Sequence, residues 1–591
     1  RVFNTIKLYA KQRRLIRLVT NQIYEKEKNN RIMVAILSQI VEFRNGESGL
    51  HVSHINQLTN LLLERLVQKT KQYHFSRADR ELIATASALH DIGKIGIDEK
   101  ILNKQGKLTA EEFRQPGSAY RAAPLWSWNC KMTREAIDYT LEAMKDMGMG
   151  GAHLHCRTGL DTPYLGEEFM ELVRYSHEKS NELGLLTWLY DEDRWPSGFA
   201  GGLITKDHRH RTRFLLFSPE KIEGEDHSPN HLSHCGQAQR SAERTFLGKY
   251  QVCLEKGYLA SYQRIPEDQP CKDGCDEWFA YLEISGESPW FNNQAYANTL
   301  DKETVEAFLA STHEKYAEVL GESFGKTVPA IFTDEPEFPY KIPLNFATER
   351  REVAIPYTDD FEDTFQACYG HSILDHLPEL FWELPDGAVS RFRYEYHDHV
   401  TERFAAAYAD TVGAWCRKHG IAMTGHMMEE PTLQRQTAAM GEVMRSYRAF
   451  DIPGIDMLCD QRELSTAKQA ESAAHQYGRI GVMSELYGVT DWDFDFRGHK
   501  LQGDWQTALG VTVRVPHLTW TTMAGEAKRD FPASIGYQSP WYKEYPLIEN
   551  YFARLNKALR RGTPHVRLGC DSSHRILLAL LGTEKSNFRY S

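Results

Sequence analysis

The sequence predicts an α/β chain, a (β/α)8 TIM-type barrel with a β-rich insertion, preceded by an all-α segment. Three observations predict it. From residue 116 onward, short apolar runs alternate with amphipathic helical stretches, eight of each. Two runs close on an acid, Val328-Pro-Ala-Ile-Phe-Thr-Asp-Glu335 and Ile480-Gly-Val-Met-Ser-Glu485, the pattern of a parallel strand delivering a carboxylate to a pocket. Before residue 115 there are only helical patterns, with no strand signal.

Bulk properties narrow the classes. A chain of 591 residues exceeds one ordinary domain. The net charge of -11 argues against a nucleic-acid partner. No run reaches the roughly 18 apolar residues of a membrane span, so no membrane partner is expected. The ten cysteines show no CxxC spacing; Cys271 and Cys275 are the one close pair. All ten are predicted to be free thiols, which places the chain, as written, in the cytoplasm. It begins at Arg1 without Met or signal peptide, so its N-terminus reads as incomplete.

The first segment, residues 1–115, predicts a basic amphipathic helix over 1–30 and further helices over Ile32–Phe43, Ile55–Thr70 and Arg80–His90. Adjacent His90 and Asp91 can ligate one metal, and His51 can reach the same ion. The run His90–Ile97, followed by Ile101-Leu-Asn-Lys-Gln-Gly-Lys-Leu-Thr-Ala-Glu-Glu-Phe113, resembles the HD-GYP family of cyclic-di-GMP phosphodiesterases over about residues 33–113. That resemblance implies a metal centre begun by His51, His90 and Asp91. The family's later histidines, Gly-Tyr-Pro loop and final Asp have no counterpart, so a divalent metal is not expected to be held well.

Residues 116–562 carry the barrel. Strands are predicted at Ala123–Trp128, Gly151–Cys156, Leu185–Tyr190, Val328–Thr333, Ile421–Gly425, Ile455–Leu458, Ile480–Ser484 and Val511–His517. Helices are predicted at Thr133–Met147, Glu167–Leu183, Lys302–Leu320, Arg391–Lys418, Thr432–Arg448, Thr466–Tyr477, Leu501–Leu509 and Pro546–Leu559. Gly184 is a C-terminal stop and Asp301 an N-cap. No Gly-rich phosphate loop follows the first strand to favour an open doubly wound sheet. Between strands three and four, about residues 203–300, Arg213–Phe217 and Trp278–Ile284 predict a small β-rich lobe over the barrel mouth.

C-terminal strand ends build the site in such barrels. They bring Trp126 and Trp128; His155 and Arg157; Asp191, Glu192 and Trp195; Asp334 and Glu335; His426, Glu429 and Glu430; Asp456; Glu485 and Tyr487; and His517. Paired carboxylates are the equipment for cleaving a glycosidic bond. Glu335 is the candidate acid and Glu485 the candidate base or nucleophile, with Glu429 and Glu430 competing for either role. Asp191, Glu192, His155 and His426 are expected to hold sugar hydroxyls, with Asp334, Arg157, Tyr487 and His517 beside them. Trp126, Trp128 and Trp195 are candidates to stack on a sugar face. A carbohydrate is the expected partner.

Ala123-Pro-Leu-Trp-Ser-Trp-Asn129, Gly159-Leu-Asp-Thr-Pro-Tyr-Leu165, Trp188-Leu-Tyr-Asp-Glu-Asp-Arg-Trp-Pro-Ser-Gly-Phe-Ala-Gly-Gly202, Phe332-Thr-Asp-Glu-Pro336, Gly425-His-Met-Met-Glu-Glu430 and Ser484-Glu-Leu-Tyr-Gly488 together resemble glycoside hydrolase family 106, the α-L-rhamnosidase-type barrels, over about residues 117–565. The resemblance implies catalytic glutamates, inversion through an activated water, and calcium in some members, with no ligands mapped here. After Gly562 the pattern dissolves. Back-translated and read one base later, Cys570–Leu581 can yield Val-Ile-His-Pro-Ile-Glu-Ser-Tyr-Trp, which resembles the family's continuation; the tail 563–591 is therefore read as frameshifted. Two other readings stand beside the hydrolase: a cyclic-di-GMP phosphodiesterase with an accessory barrel, and an inactive chimaeric carbohydrate-binding barrel.

Overall fold

Side chains alternate across each strand, and here the alternation sorts a barrel interior from a helix-facing layer. The computed structural model describes residues 51–69, 75–76, 79–80, 83–84, 113–224, 240–459, 462–561 and 566. The chain divides into two compact units, residues 1–107 with 561–566 and residues 108–560 with 567–591. In the first, the helix His51–Lys69 starts four residues before the predicted Ile55. His90, Asp91 and the side chain of His51 lie outside the described residues, as does the tail from 567.

In the second unit the parallel strands are β1 (Leu125–Trp128), β2 (Gly151–Cys156), β3 (Leu186–Tyr190), β8 (Ala330–Asp334), β10 (Ala422–His426), β11 (Ile452–Met457), β12 (Met483–Leu486), β13 (Val513–Pro516) and β14 (Thr519–Trp520). Their order is β13-β12-β11-β10-β8-β3-β2-β1-β14. The last two are pieces of one eighth strand, interrupted at His517 and Leu518. β13 pairs with β12 and β14 pairs with β1. Ala123 N donates to Arg514 O at 3.0 Å, closing the ring. Inside pack Ala123, Leu125, Trp188, Tyr190, Ala330, Phe332, Ile452, Met483, Val515 and Trp520. Outside, residues of the opposite parity, such as Trp126, Leu154, Leu189, Ile331 and Ile455, join the core shared with the helices.

Two glycines let three strands approach. Gly425 has φ +122°, and a Cβ there would sit 1.9 Å from Thr333 O; one at Gly454 would sit 2.2 Å from Gly425 O. Several boundaries depart from expectation. The seventh strand is Met483–Leu486, and Ile480 is 62% exposed in the loop before it. The predicted helix Lys302–Leu320 breaks at Thr312, and Thr432–Arg448 breaks where Gly441 takes φ 89°. The expected cap at Asp301 holds, its side chain accepting from Glu303 N and Thr304 N, and Thr133, expected inside its helix, is instead a cap that accepts from Ala136 N.

The lobe is a five-stranded antiparallel sheet, ordered β6-β5-β7-β4-β9. It comprises β4 (Arg213–Ser218), β5 (Arg244–Glu255), β6 (Tyr258–Ile265), β7 (Asp276–Ile284) and β9 (Val353–Pro356). It is not confined to 203–300, because β9 follows barrel strand β8. β5 and β6 form a hairpin whose two-residue turn, Lys256 and Gly257, has positive φ at both positions (54° and 85°), matching the twist of the strands. Cys253 and Cys275 form a disulfide between β5 and the segment leading into β7, so the reading of ten free thiols is corrected. Among the described residues no helix is long and apolar enough to cross a membrane.

Candidate active site

Interior parity carries one row of polar side chains to the C-terminal mouth of the barrel. It comprises Ser127 on β1, His155 and then Arg157 on β2, Tyr190 on β3, Asp334 on β8, His426 on β10, Asp456 on β11, Glu485 on β12 and His517 after β13. Strand register sets Asp334 opposite His426 and Asp456 opposite Glu485. Glu335 follows Asp334 and by parity belongs outside. Its φ of 47° turns it back, and its N–H donates to His426 O at 3.1 Å.

His426 is the hub. Its Nε2 lies 2.8 Å from Glu485 Oε2 and 3.5 Å from Asp334 Oδ1. A ring nitrogen, a Glu335 oxygen and an Asp456 oxygen also lie within 4.8 Å of one another. Asp334 is held firmly: Tyr190 donates to Oδ2 at 2.5 Å, and Ser197 Oγ accepts from its N–H at 2.8 Å. His517 Nε2 lies 3.8 Å from Glu485 Oε1. The ring nitrogens of His155 are buried without a hydrogen-bond partner, as is His517 Nδ1. A buried polar atom in that state calls for a partner, whether an ordered water or a ligand.

The cluster sorts its protons. Burial, then the neighbouring Asp456, pushes the Glu335 carboxyl well above the ordinary range. Asp456 is likewise raised, by burial and then Glu485. Burial also raises Asp334 to about 6, with His426 acting against it. Glu485 goes the other way: burial would raise it, but the hydrogen bond and charge of His426, aided by His517 and Arg157, hold it below the ordinary value. Burial acts against the His426 cation, yet Glu485, Asp334 and Asp456 outweigh it and raise its pKa well above normal. His517 is lowered to about 4, chiefly by burial. The mouth thus opposes a glutamic acid biased toward its protonated form and a glutamate biased toward its anion, with an imidazole biased toward its cation between them.

Other expected residues sit elsewhere. Trp126 and Trp128 occupy outward positions and are fully buried against the helices, with Trp128 edge-on to Phe169 at 5.3 Å; neither can meet a sugar. Asp191 lies behind the strand ends and accepts from Ser197 Oγ at 2.6 Å, so it acts on Asp334 through that serine. Glu192 accepts backbone N–H bonds from Asp193, Gly198, Phe199, Ala200 and Gly201 at 2.6–3.0 Å, fixing its loop rather than a ligand. Glu430 is enclosed by Met427 N, Tyr447 Oη and Asp456 N at 2.7–3.1 Å, tying the loop after β10 to β11. Glu429 pairs with the exposed Arg435 at 3.2 Å. Tyr487 is buried in the helix layer beside His499, ring centroids 4.5 Å apart. Trp195 stays partly exposed, packed against Trp290 at 5.1 Å.

Sequence reasoning missed Tyr190 as a partner of Asp334, and Trp520, Asp530 and Phe531 around Arg157. Parity counting along β3 would have found Tyr190. It also missed Glu337, fully buried and raised by burial and then Glu335. Among the described residues two groups have metal-ligand spacing, Asp334–His426–Glu485 and Glu335–His426–Asp456. Both need the imidazole of His426, already bonded to Glu485. Calcium prefers an all-oxygen shell, so the calcium implied by the resemblance does not fit these donors.

No family model matches the chain. In fold it is similar to a rhamnosidase from Novosphingobium sp. PP1Y, with a TM-score of 0.55 and 15% identity over 77% of this chain and 61% of that one. A likeness at that identity is one of fold. A segment is 34% identical over 93 residues to the 3'3'-cGAMP-specific phosphodiesterase 2 of Vibrio cholerae serotype O1, covering 16% of each chain. Another comparison gives 36% over 81 residues with a cyclic di-GMP phosphodiesterase of Thermotoga maritima, 14% of this chain and 20% of that one. The chain spans about a fifth of the length of the curated relatives it matches.

Proposed function

We propose that the barrel is a glycoside hydrolase in which Glu335 is the general acid and Glu485 the general base. The observation that supports this best is that both carboxyl groups meet the His426 imidazole at the barrel mouth, Glu485 Oε2 at 2.8 Å from Nε2 and a Glu335 oxygen within 4.8 Å of a ring nitrogen. Glu335 gives its proton to the leaving oxygen as the glycosidic bond breaks. Glu485 takes a proton from the water that attacks the anomeric carbon, and configuration inverts. His426 keeps Glu485 ionised, and Asp334, fixed by Tyr190 and Ser197, faces the developing cation. His155 and His517 offer their unpartnered nitrogens to sugar hydroxyls. The fold likeness makes aryl α-L-rhamnosides the first substrates to assay. Release of the aryl group, abolished in Glu485→Gln, supports the reading; no turnover across a panel of aryl glycosides overturns it.

The likeness of a short segment to cyclic-dinucleotide phosphodiesterases favours a second reading, a signalling phosphodiesterase. Its test is hydrolysis of cyclic-di-GMP that disappears in His90→Ala.

A further inference from the structure

The mouth is divided by charge. Its acids lie on consecutive strands, Asp334 and Glu335 at β8, Asp456 on β11 and Glu485 on β12, with His426 among them on β10. The remaining arc, the eighth strand with β1, β2 and β3, carries no acid in the interior row and presents His517, Ser127, His155, Arg157 and Tyr190. Across the eight-stranded ring Arg157 stands opposite Asp456.

Arg157 is under-committed. Its side chain is 9% exposed, and its guanidinium lies 5.2 Å from the Phe531 ring and 5.6 Å from that of Trp520, which fix its plane. Its one carboxylate partner, Asp530, receives Nε and Nη2 at 3.4 Å each, long for charge-assisted bonds. Among the described residues Nη1 has no hydrogen-bond acceptor. By strand parity Arg157 belongs to the same interior row as His155, two residues further along the C-terminal end of β2. Beside it the ring nitrogens of His155 wait without partners. A planar cation beside two aromatic rings, next to an imidazole with an unpartnered donor and an unpartnered acceptor, matches a planar anion with hydroxyl neighbours.

From this we infer that the substrate carries a carboxylate, that it is a uronic-acid-containing glycoside, and that Arg157 receives the acid group. The word substrate rests on the hydrolase reading; recognition of the acid does not. Titration calorimetry of the full chain with D-galacturonate and D-glucuronate, against galactose and glucose, tests it directly. The uronates are expected to bind about tenfold or more tighter than the neutral sugars. Arg157→Gln is expected to erase that preference, and Asp530→Asn, which frees the guanidinium, to strengthen it. Equal binding of acidic and neutral sugars, no binding of either, or a preference that survives Arg157→Gln overturns the inference. Turnover of neutral aryl glycosides without any uronate preference would sink this inference and leave the hydrolase standing. A uronate preference without turnover of any glycoside would do the reverse.

Discussion

Glu485 and His426 form a buried ion pair, Oε2 to Nε2 at 2.8 Å, from strands that are not neighbours but flank β11. It gives the site its ionised base. The active form has Glu485 deprotonated and Glu335 protonated, so the rate against pH is a bell. The acid limb lies below the ordinary carboxylate value, because Glu485 is lowered. The alkaline limb lies well above it, because Glu335 is raised. His426→Asn removes the cation, leaving burial to raise Glu485. The acid limb is then expected to move to higher pH, with kcat falling about 10²–10⁴-fold and KM little changed. A pH–rate profile of the variant checks this. In stability the pair's sign is fixed as well. Glu485's share is lost as pH falls through its lowered pKa, and that of His426 as pH rises through its raised one.

A second ion pair closes the barrel from outside. Arg514 on β13 meets Glu549 of the helix Pro546–Leu559 through two bonds of 2.9 and 2.7 Å, and Glu549 also accepts from Ala122 N. Both side chains are at most 5% exposed. Arg514→Met strands a buried carboxylate, at an expected cost of about 3–5 kcal/mol in chemical denaturation.

Gly425 joins β8, β10 and β11 just before His426. A methyl group there would meet the Thr333 carbonyl, and the backbone φ of +122° disfavours any side chain. Gly425→Ala is expected to lower the unfolding midpoint and to displace His426, seen as lost activity in whatever protein still folds.

The disulfide Cys253–Cys275 joins positions 22 residues apart in the lobe. Peptide mapping of oxidised protein is expected to recover the two cysteines linked. Reduction is expected to cost the lobe about 3 kcal/mol, read as earlier local unfolding in hydrogen exchange.

Much of this architecture was legible in the sequence, because buried parallel strands are short continuous apolar runs and β2 and the helix Pro546–Leu559 were bounded correctly. What was less legible has physical causes. A run buried on both faces hides its parity, so Trp126 and Trp128 read as mouth residues although the interior of β1 belongs to Leu125 and Ser127. Ile480 extended an apolar run past its strand. Glu192 and Glu430 read as free acids because backbone donors, which carry no sequence signature, surround them. Glu335 was placed at the site for a reason sequence does not contain, the left-handed turn that reverses its side chain. Asp334, which parity alone delivers, lay one residue away. The β5–β6 hairpin was readable, from alternation on both sides of Lys256-Gly257, and was missed.

The division of labour between Glu335 and Glu485 is tested most directly by varying the leaving group. A dinitrophenyl glycoside departs without a proton, whereas an alkyl glycoside needs one. Glu335→Gln is expected to lose about 10²–10⁴-fold in kcat on the alkyl glycoside and far less on the dinitrophenyl one, while Glu485→Gln loses activity on both. Equal losses on the two substrates in Glu335→Gln, or an undiminished rate in Glu485→Gln, would contradict the account.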